Sequence, residues 1–239
     1  MRTALAILTY VDAARPPSVG RRLRDAIASL EQTSYDGPVL IVDDASDCKE
    51  HVRYLNSLAR NGRYEVIRRE ANGGISRAKN TCLRLLAEQE AEVYFLAEDD
   101  ILFREGWDRA YIDAMSRSQV QHFSWYLPDA ANQVLACNGC LIAATGGILG
   151  LLLTYTPEVL AAVGGFKILP RRWGYEHVQW THRIIRAGFA PFTADIIDSC
   201  RFIERNSHPS SVNDAEMQAG LTENLPGMAI DRLFEPIEE

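Results

Sequence analysis

The sequence predicts an α/β fold, a mainly parallel β-sheet covered by helices on both faces. Short apolar runs alternate with amphipathic stretches from residue 5 to residue 100, and that alternation requires crossover connections between parallel strands. The runs end in polar or acidic clusters, Thr9-Tyr10, Asp43-Asp44 and Glu98-Asp99-Asp100. In open sheets of this kind, ligands bind outside the carboxyl ends of the strands. The composition, 47% hydrophobic and 24% charged over 239 residues, matches that of globular proteins and allows a substantial core.

Leu5-Ala6-Ile7-Leu8 is short and apolar enough for a buried first strand, and Arg21 to Leu30 follows with Leu23, Ile27 and Leu30 at helical spacing. The Asp36-Gly37-Pro38 turn leads into Val39-Leu40-Ile41-Val42, a second buried strand. A helix from about Lys49 places Val52, Leu55 and Leu58 or Ala59 on one face. Tyr64 to Ile67 reads as a third strand, Ser76 to Leu86 as a helix, and Glu92 to Leu96 as a fourth strand. Beyond Trp125 the alternation fades into a turn-rich segment. Leu151 to Thr154 then forms a strand, Pro157 to Val163 a helix with proline in its first turn, and Trp173 to Ala187 a last amphipathic helix. Residues 1–239 are expected to form one domain, with a ligand-binding half over 1–104, a second half over 105–206, and a polar loop or tail over 207–239.

The formal charge of -7 repels polyphosphate, so nonspecific nucleic-acid binding is not expected. Five scattered cysteines read as reduced thiols rather than a disulfide framework. The Cys137/Cys140 pair has zinc-like spacing but no second pair to match. Ala4 to Leu8 is too brief for a signal peptide core, and the uncharged stretch from Ala130 to Pro157 is broken by glycines and asparagines. A soluble, cytoplasmic protein without a membrane span is the expectation.

Three consecutive acids at a strand end raise one another's pKa unless a cation compensates. Hard divalent ions such as Mn or Mg take carboxylate and phosphate oxygens, which makes Glu98-Asp99-Asp100 a candidate cation site. Asp43-Asp44-Ala45-Ser46 could accept hydrogen bonds from a nucleobase or ribose, or could cap the next helix. Asn72 through Asn80 combines an Asn-Gly-Gly turn, a Ser cap and basic residues at the start of a helix, a place suited to anions. An ordinary turn and capped helix would give the same pattern.

Together these segments resemble the GT-A fold nucleotide-diphosphosugar transferases, most closely glycosyltransferase family 2. The matching segments are Ile7-Leu8-Thr9-Tyr10, Val42 to Ser46, Asn72 to Asn80, Phe95 to Ile101, Val163-Gly164-Gly165-Phe166, and Trp173-Gly174-Tyr175-Glu176-His177. The resemblance implies transfer of a sugar from a nucleotide-diphosphosugar to a carbohydrate or other hydroxyl acceptor, with Mn or Mg as cofactor and inversion at the anomeric carbon. It implies that Thr9, Tyr10 and Asp44 lie around the base and Asp99 near the ribose and sugar. Asp43, Asn72, Gly74, Arg77, Asn80 and Glu98 complete the expected donor site, and Asp100 is the metal carboxylate. Ala97 stands where family members often carry a further aspartate.

A second departure falls in the acceptor motif, where Glu176-His177 replaces the usual Glu-Asp. Either residue is chemically capable of removing the acceptor's proton, and Glu176 is favoured. His208 matches a histidine that completes the metal shell in many transferases of this fold. Trp173 and Tyr175 are placed beside the acceptor sugar, while Trp107, Trp125 and Tyr126 read mainly as core. His51, His122 and His182 read as structural or exposed. Two rivals are a noncatalytic nucleotide-sugar-binding module and a metal-dependent nucleotidyltransferase. The latter normally needs a glycine-rich basic loop after the first strand, and residues 9–18 contain no glycine.

Overall fold

The computed structural model describes residues 1–14, 19–126, 133–172, 174–206 and 221–239. Three strand-helix steps and a fourth strand come first in the chain: β1 (Thr3–Thr9), α1 (Arg22–Leu30), β2 (Val39–Asp43), α2 (Lys49–Asn61), β3 (Tyr64–Arg68), α3 (Ile75–Ala87) and β4 (Val93–Glu98). They form parallel pairs β1 with β2, β2 with β3, and β1 with β4. Each helix buries a stripe at the spacing its sequence dictates, such as Leu23, Ala26, Ile27 and Leu30 on α1. On α2 the inner face is His51, Leu55 and Leu58, with His51 in place of the expected Val52 and Leu58 rather than Ala59.

After β5 (Ile101–Phe103) and α4 (Trp107–Ser118) the direction changes. Strand β6 (His122–Ser124) and strand β9 (Leu152–Tyr155) join the sheet antiparallel to each other, and β9 runs antiparallel to β4. The sheet order is therefore β3-β2-β1-β4-β9-β6. The expected mainly parallel sheet holds over β3 to β4 and becomes mixed beyond it. Between β6 and β9, the hairpin of β7 (Gln133–Cys137) and β8 (Cys140–Ala144) sits in a second small sheet with β10 (Ala194–Asp195). Val134 and Leu141 on this hairpin are exposed, so part of the uncharged stretch between Ala130 and Pro157 is a surface ribbon. The cysteines at 137 and 140 face each other across its turn as free thiols.

Two helices complete the body, α5 (Pro157–Val163) and α6 (Glu176–Arg186), and β11 (Ile203–Arg205) pairs antiparallel with β5. Arg183 on α6 is fully buried, and its guanidinium donates to the carbonyls of Val163, Gly165 and Leu233. Its burial lowers the guanidinium pKa to about 10, and these acceptors hold the Gly164-Gly165-Phe166 turn against the C-terminal segment. That segment wraps the body: Glu235 bridges Gly164, and Glu238 and Glu239 reach α3. Among the described residues no helix is long and apolar enough to cross a membrane.

Candidate active site

The carboxyl ends of β1, β2 and β4 open on a cleft of about 960 Å³, within the usual size range of small-molecule sites. Thr9 ends β1 and Tyr10 follows it, Asp44 follows β2, and Glu98 ends β4 with Asp99 and Asp100 next; all line it. Asn72 and Gly74 enter from the loop before α3, and Tyr175, Glu176 and His177 enter from the start of α6. The helix and sheet geometry thus brings the motifs expected on the donor side and on the acceptor side to one cavity.

Asp99 and Asp100 sit at the joint between β4 and β5. Burial pushes the Asp99 carboxyl up to about 7, opposed by the Thr9 hydroxyl and reinforced by the charge of Asp100. Burial likewise lifts Asp100 to about 6, with Glu98 adding and Arg22 and Arg205 opposing. Thr9 Oγ1 donates to Asp99 Oδ2 at 2.5 Å. The same oxygen lies 3.1 Å from His51 Nε2 and accepts from it, which makes His51 an internal prop of the acidic cluster. Asp100 Oδ2 is 3.6 Å from Arg205 Nε, and the Asp100 carbonyl accepts from Asn206 N at 2.7 Å. Asp100 Oδ1 is buried with no hydrogen-bond partner among the described residues.

Among the described residues no group of three His, Cys, Asp or Glu side chains is arranged as a metal cage. The partnerless Asp100 oxygen nevertheless fits a hard cation that takes one or two protein carboxylates and completes its shell with phosphates and water. His208 lies outside the described residues, as does Trp173.

Three expected donor contacts are placed elsewhere. Asp43 is fully buried, accepting from the Ser46 hydroxyl and from Arg68 Nε at 2.8 Å, and it does not line the cleft. Asn80 donates to the carbonyls of Phe166 and Glu238 and accepts from Phe166 N. Arg77 donates to the Glu239 carbonyl. Asn80 and Arg77 therefore fasten the C-terminal segment to α3. Asp44 lines the cleft, yet its carboxylate is engaged by Arg69 and by the Gly73 and Gly74 amides, each 3.0 Å away. Neither cap expectation holds: the N-cap positions are Cys48 for α2 and Gly74 for α3, both without a side-chain cap. Gly74 has φ 82, and a Cβ there would lie 2.8 Å from Arg172 O and Cβ, so the loop and Arg172 meet only because this residue is glycine.

The expected Glu176-His177 motif is joined by a lysine that sequence reasoning missed. Lys79 on α3 is fully buried, with its Nζ 2.8 Å from Glu98 Oε1 and 3.0 Å from Glu176 Oε1. Glu176 Oε1 also meets His177 Nδ1 at 2.9 Å, and Glu176 Oε2 accepts from Gly174 N at 3.1 Å. Burial alone would raise the Glu176 pKa, but the Lys79 ammonium and the His177 ring hold it well below the usual carboxylate range. A Cβ on Gly150 would stand 2.7 Å from Lys79 Nζ and 2.8 Å from Glu98 Oε1, so this glycine makes room for the cluster. The local signal was a lysine on an otherwise apolar helix face, with Cys82 and Leu83 one turn on. Arg172 and Arg205 also line the cleft as cations missed in the sequence.

Tyr175, immediately before α6, has φ 68, an uncommon conformation for a non-glycine residue that clusters at functional sites. Asn224 pins this loop, donating to Gly174 O and accepting from Arg171 N, each at 2.8 Å.

The family model described as Glycosyl transferase family 2 matches residues 15–124. An uncharacterized glycosyltransferase of Acanthamoeba polyphaga mimivirus is 34% identical over 209 residues, covering 85% of this chain and 81% of that protein. Among solved structures, the mannosyltransferase PcManGT from Pyrobaculum calidifontis in complex with GDP-Man and Mn2+ aligns with TM-score 0.58 and 18% identity, covering 80% of this chain and 54% of that one. GalNAc-T7 with UDP, GalNAc and Mn2+ aligns at 0.59 and 13%, covering 79% and 41%. TarS of S. aureus aligns at 0.56 and 14%, covering 77% and 55%. This chain therefore spans about half or less of each solved chain, and at these identities the likeness carries the fold alone. With a relative 34% identical over most of both chains, a matching family model and this architecture, the chain has the GT-A fold and belongs to glycosyltransferase family 2.

Proposed function

We propose that this family 2 glycosyltransferase moves a sugar from a nucleotide-diphosphosugar to a hydroxyl acceptor with inversion, using a divalent cation held at Asp100. The observation that carries this reading is the buried, partnerless Oδ1 of Asp100, a residue that lines the same cleft as Glu176 and His177. Two of the solved structures are complexes with Mn2+ and a nucleotide or nucleotide sugar, which supports manganese as the ion. When bound, the cation neutralises the charge that develops on the departing diphosphate. Tyr10 and Asn72 flank the nucleotide, Asp99 faces the ribose and sugar, and Arg172 and Arg205 add positive charge at the cleft wall. The Glu176-His177 pair receives the acceptor's proton on the opposite side.

The test is a thermal-shift screen of GDP-mannose, UDP-N-acetylglucosamine and the corresponding nucleoside diphosphates with and without Mn2+. A donor at a hundred times its Kd stabilises by about 2.7 kcal/mol, and that shift should require Mn2+ and vanish in Asp100→Ala. A donor shift that is unchanged without Mn2+, or in Asp100→Ala, would refute the assignment of the cation to Asp100.

A further inference from the structure

The geometry points to Ser46 and Asp47, set in place by Asp43 and Arg68, as positioning residues that hold the backbone after β1 in the shape that receives the nucleoside end of the donor. This rests on the transferase reading above and deepens it.

The chain leaves the sheet at the mouth of the cleft. Thr9, Tyr10 and Asp12 line the cavity, while Val11 between them is buried. The Thr9 carbonyl still accepts from Asp44 N at 3.0 Å, but beyond it the backbone groups need partners outside the ladder. Among the described residues, those that tie this segment to the body come from the turn before α2. Val11 N donates to Ser46 Oγ at 2.8 Å, Val11 O accepts from Asp47 N and Cys48 N, each at 3.3 Å, and Ala13 N donates to Asp47 Oδ1 at 2.5 Å.

Ser46 is itself oriented. Its hydroxyl donates to Asp43 Oδ1, which commits its one proton and leaves a lone pair for Val11 N. The buried Asp43 carboxylate also accepts from the Ser46 amide, 3.2 Å from each oxygen, and from Arg68 Nε at 2.8 Å, while Arg68 Nη2 donates to Ser46 O at 2.8 Å. This clamp spans Ala45, whose φ of 60 lies in the left-handed region that costs a residue bearing a Cβ. Capping does not account for the clamp, since the N-cap position of α2 is Cys48. Asp43 therefore acts on the donor through Ser46 and Val11 rather than by touching it. The nucleoside is remote from the bond that breaks, so a loosened segment weakens ground state and transition state alike, and KM rises while kcat holds.

The test is calorimetric binding of GDP, UDP and inorganic pyrophosphate with Mn2+, beside kcat and KM for nucleoside diphosphate release from GDP-mannose and UDP-N-acetylglucosamine. If Ser46→Ala leaves about a tenth of the chains in the receptive shape, the Kd of the nucleoside diphosphate and the KM of its sugar donor should each rise about tenfold, with kcat and the pyrophosphate Kd unchanged within about twofold. Asp47 is exposed, so its variants keep the protein testable should Ser46→Ala fold poorly. Asp47→Ala should raise the same two constants by about three- to tenfold, and Asp47→Asn, which keeps an acceptor for Ala13 N, should return them to within about twofold of the parent. Unchanged Kd and KM in these alanine variants, pyrophosphate binding lost in step with that of the nucleoside diphosphate, or kcat lowered at unchanged KM would overturn the positioning role while leaving the transferase reading intact. A parent protein that neither binds these diphosphates nor turns over these donors would overturn both.

Discussion

Replacing Asp99 by Asn tests whether the acidic end of β4 is strained in the free protein. The Asp99 carboxyl is buried beside Asp100 and has its pKa raised from 3.8 to about 7. That displacement of roughly three units corresponds to about 4 kcal/mol of penalty on the charged form. The folded chain holds this proton more tightly than the unfolded chain, so the folded state binds more protons between about pH 4 and pH 7. Stability contributed by the neutral acid is therefore present below pH 4 and is lost as pH rises through about 7. Asn keeps the shape and an oxygen that can still accept from Thr9 Oγ1, but it cannot ionise. Urea unfolding of metal-free parent and Asp99→Asn should show the variant gaining relative stability with pH, by about 2 to 3 kcal/mol between pH 5 and pH 8, at similar m-values. A gain that does not change with pH, or no gain at pH 8, would refute the claim that burial penalises this carboxylate.

Two further changes probe the cleft walls. Asp44→Ala removes the acceptor for Arg69 and for the Gly73 and Gly74 amides, so calorimetry should show a loss of about 1 to 3 kcal/mol; an unchanged Tm with weakened nucleotide binding would instead make Asp44 solely a ligand contact. Gly150→Ala places a methyl 2.7 Å from Lys79 Nζ and 2.8 Å from Glu98 Oε1 and should cut nucleoside diphosphate release by about tenfold or more through misplacement of the cluster; unaltered release would show that the cluster shifts without cost.

The N-terminal half was legible in the sequence because its signals are local. Strands such as Val39 to Val42 are buried on both faces and announce themselves as unbroken apolar runs, and α1 and α3 show their stripes at helical spacing. The acids at the ends of β2 and β4 follow from where those runs stop. The proline in the first turn of α5 marks its start, and that helix spans the residues expected of it. The C-terminal half carries weaker signals. Strands β6, β10 and β11 have three residues or fewer, too short to display a period, and nothing in Leu152 to Tyr155 states that β9 runs against β4.

Within the cleft, residue type and position along the chain picked out Thr9, Tyr10, Asp44, Asn72, Gly74, Asp99, Asp100, Tyr175, Glu176 and His177, all of which line it. They could not separate side chains that face the cleft from neighbours that turn away. Asp43 and Asp44 are adjacent, yet strand alternation sends one to Arg68 and the other to the cleft wall. Asn80 and Lys79 are likewise adjacent on α3, one tied to the C-terminal segment and the other to Glu98 and Glu176. The bond between Lys79 and Glu176 joins residues 97 positions apart. Local propensity depends on a residue's few neighbours in the chain, whereas the ionisation and orientation of a buried group depend on whichever charges the folded chain packs against it. For that reason the sequence determined the sheet-building half and the residue types at its rim, while the pairing of Lys79 with two carboxylates, and with it the arrangement of the acceptor motif, was decided by tertiary packing.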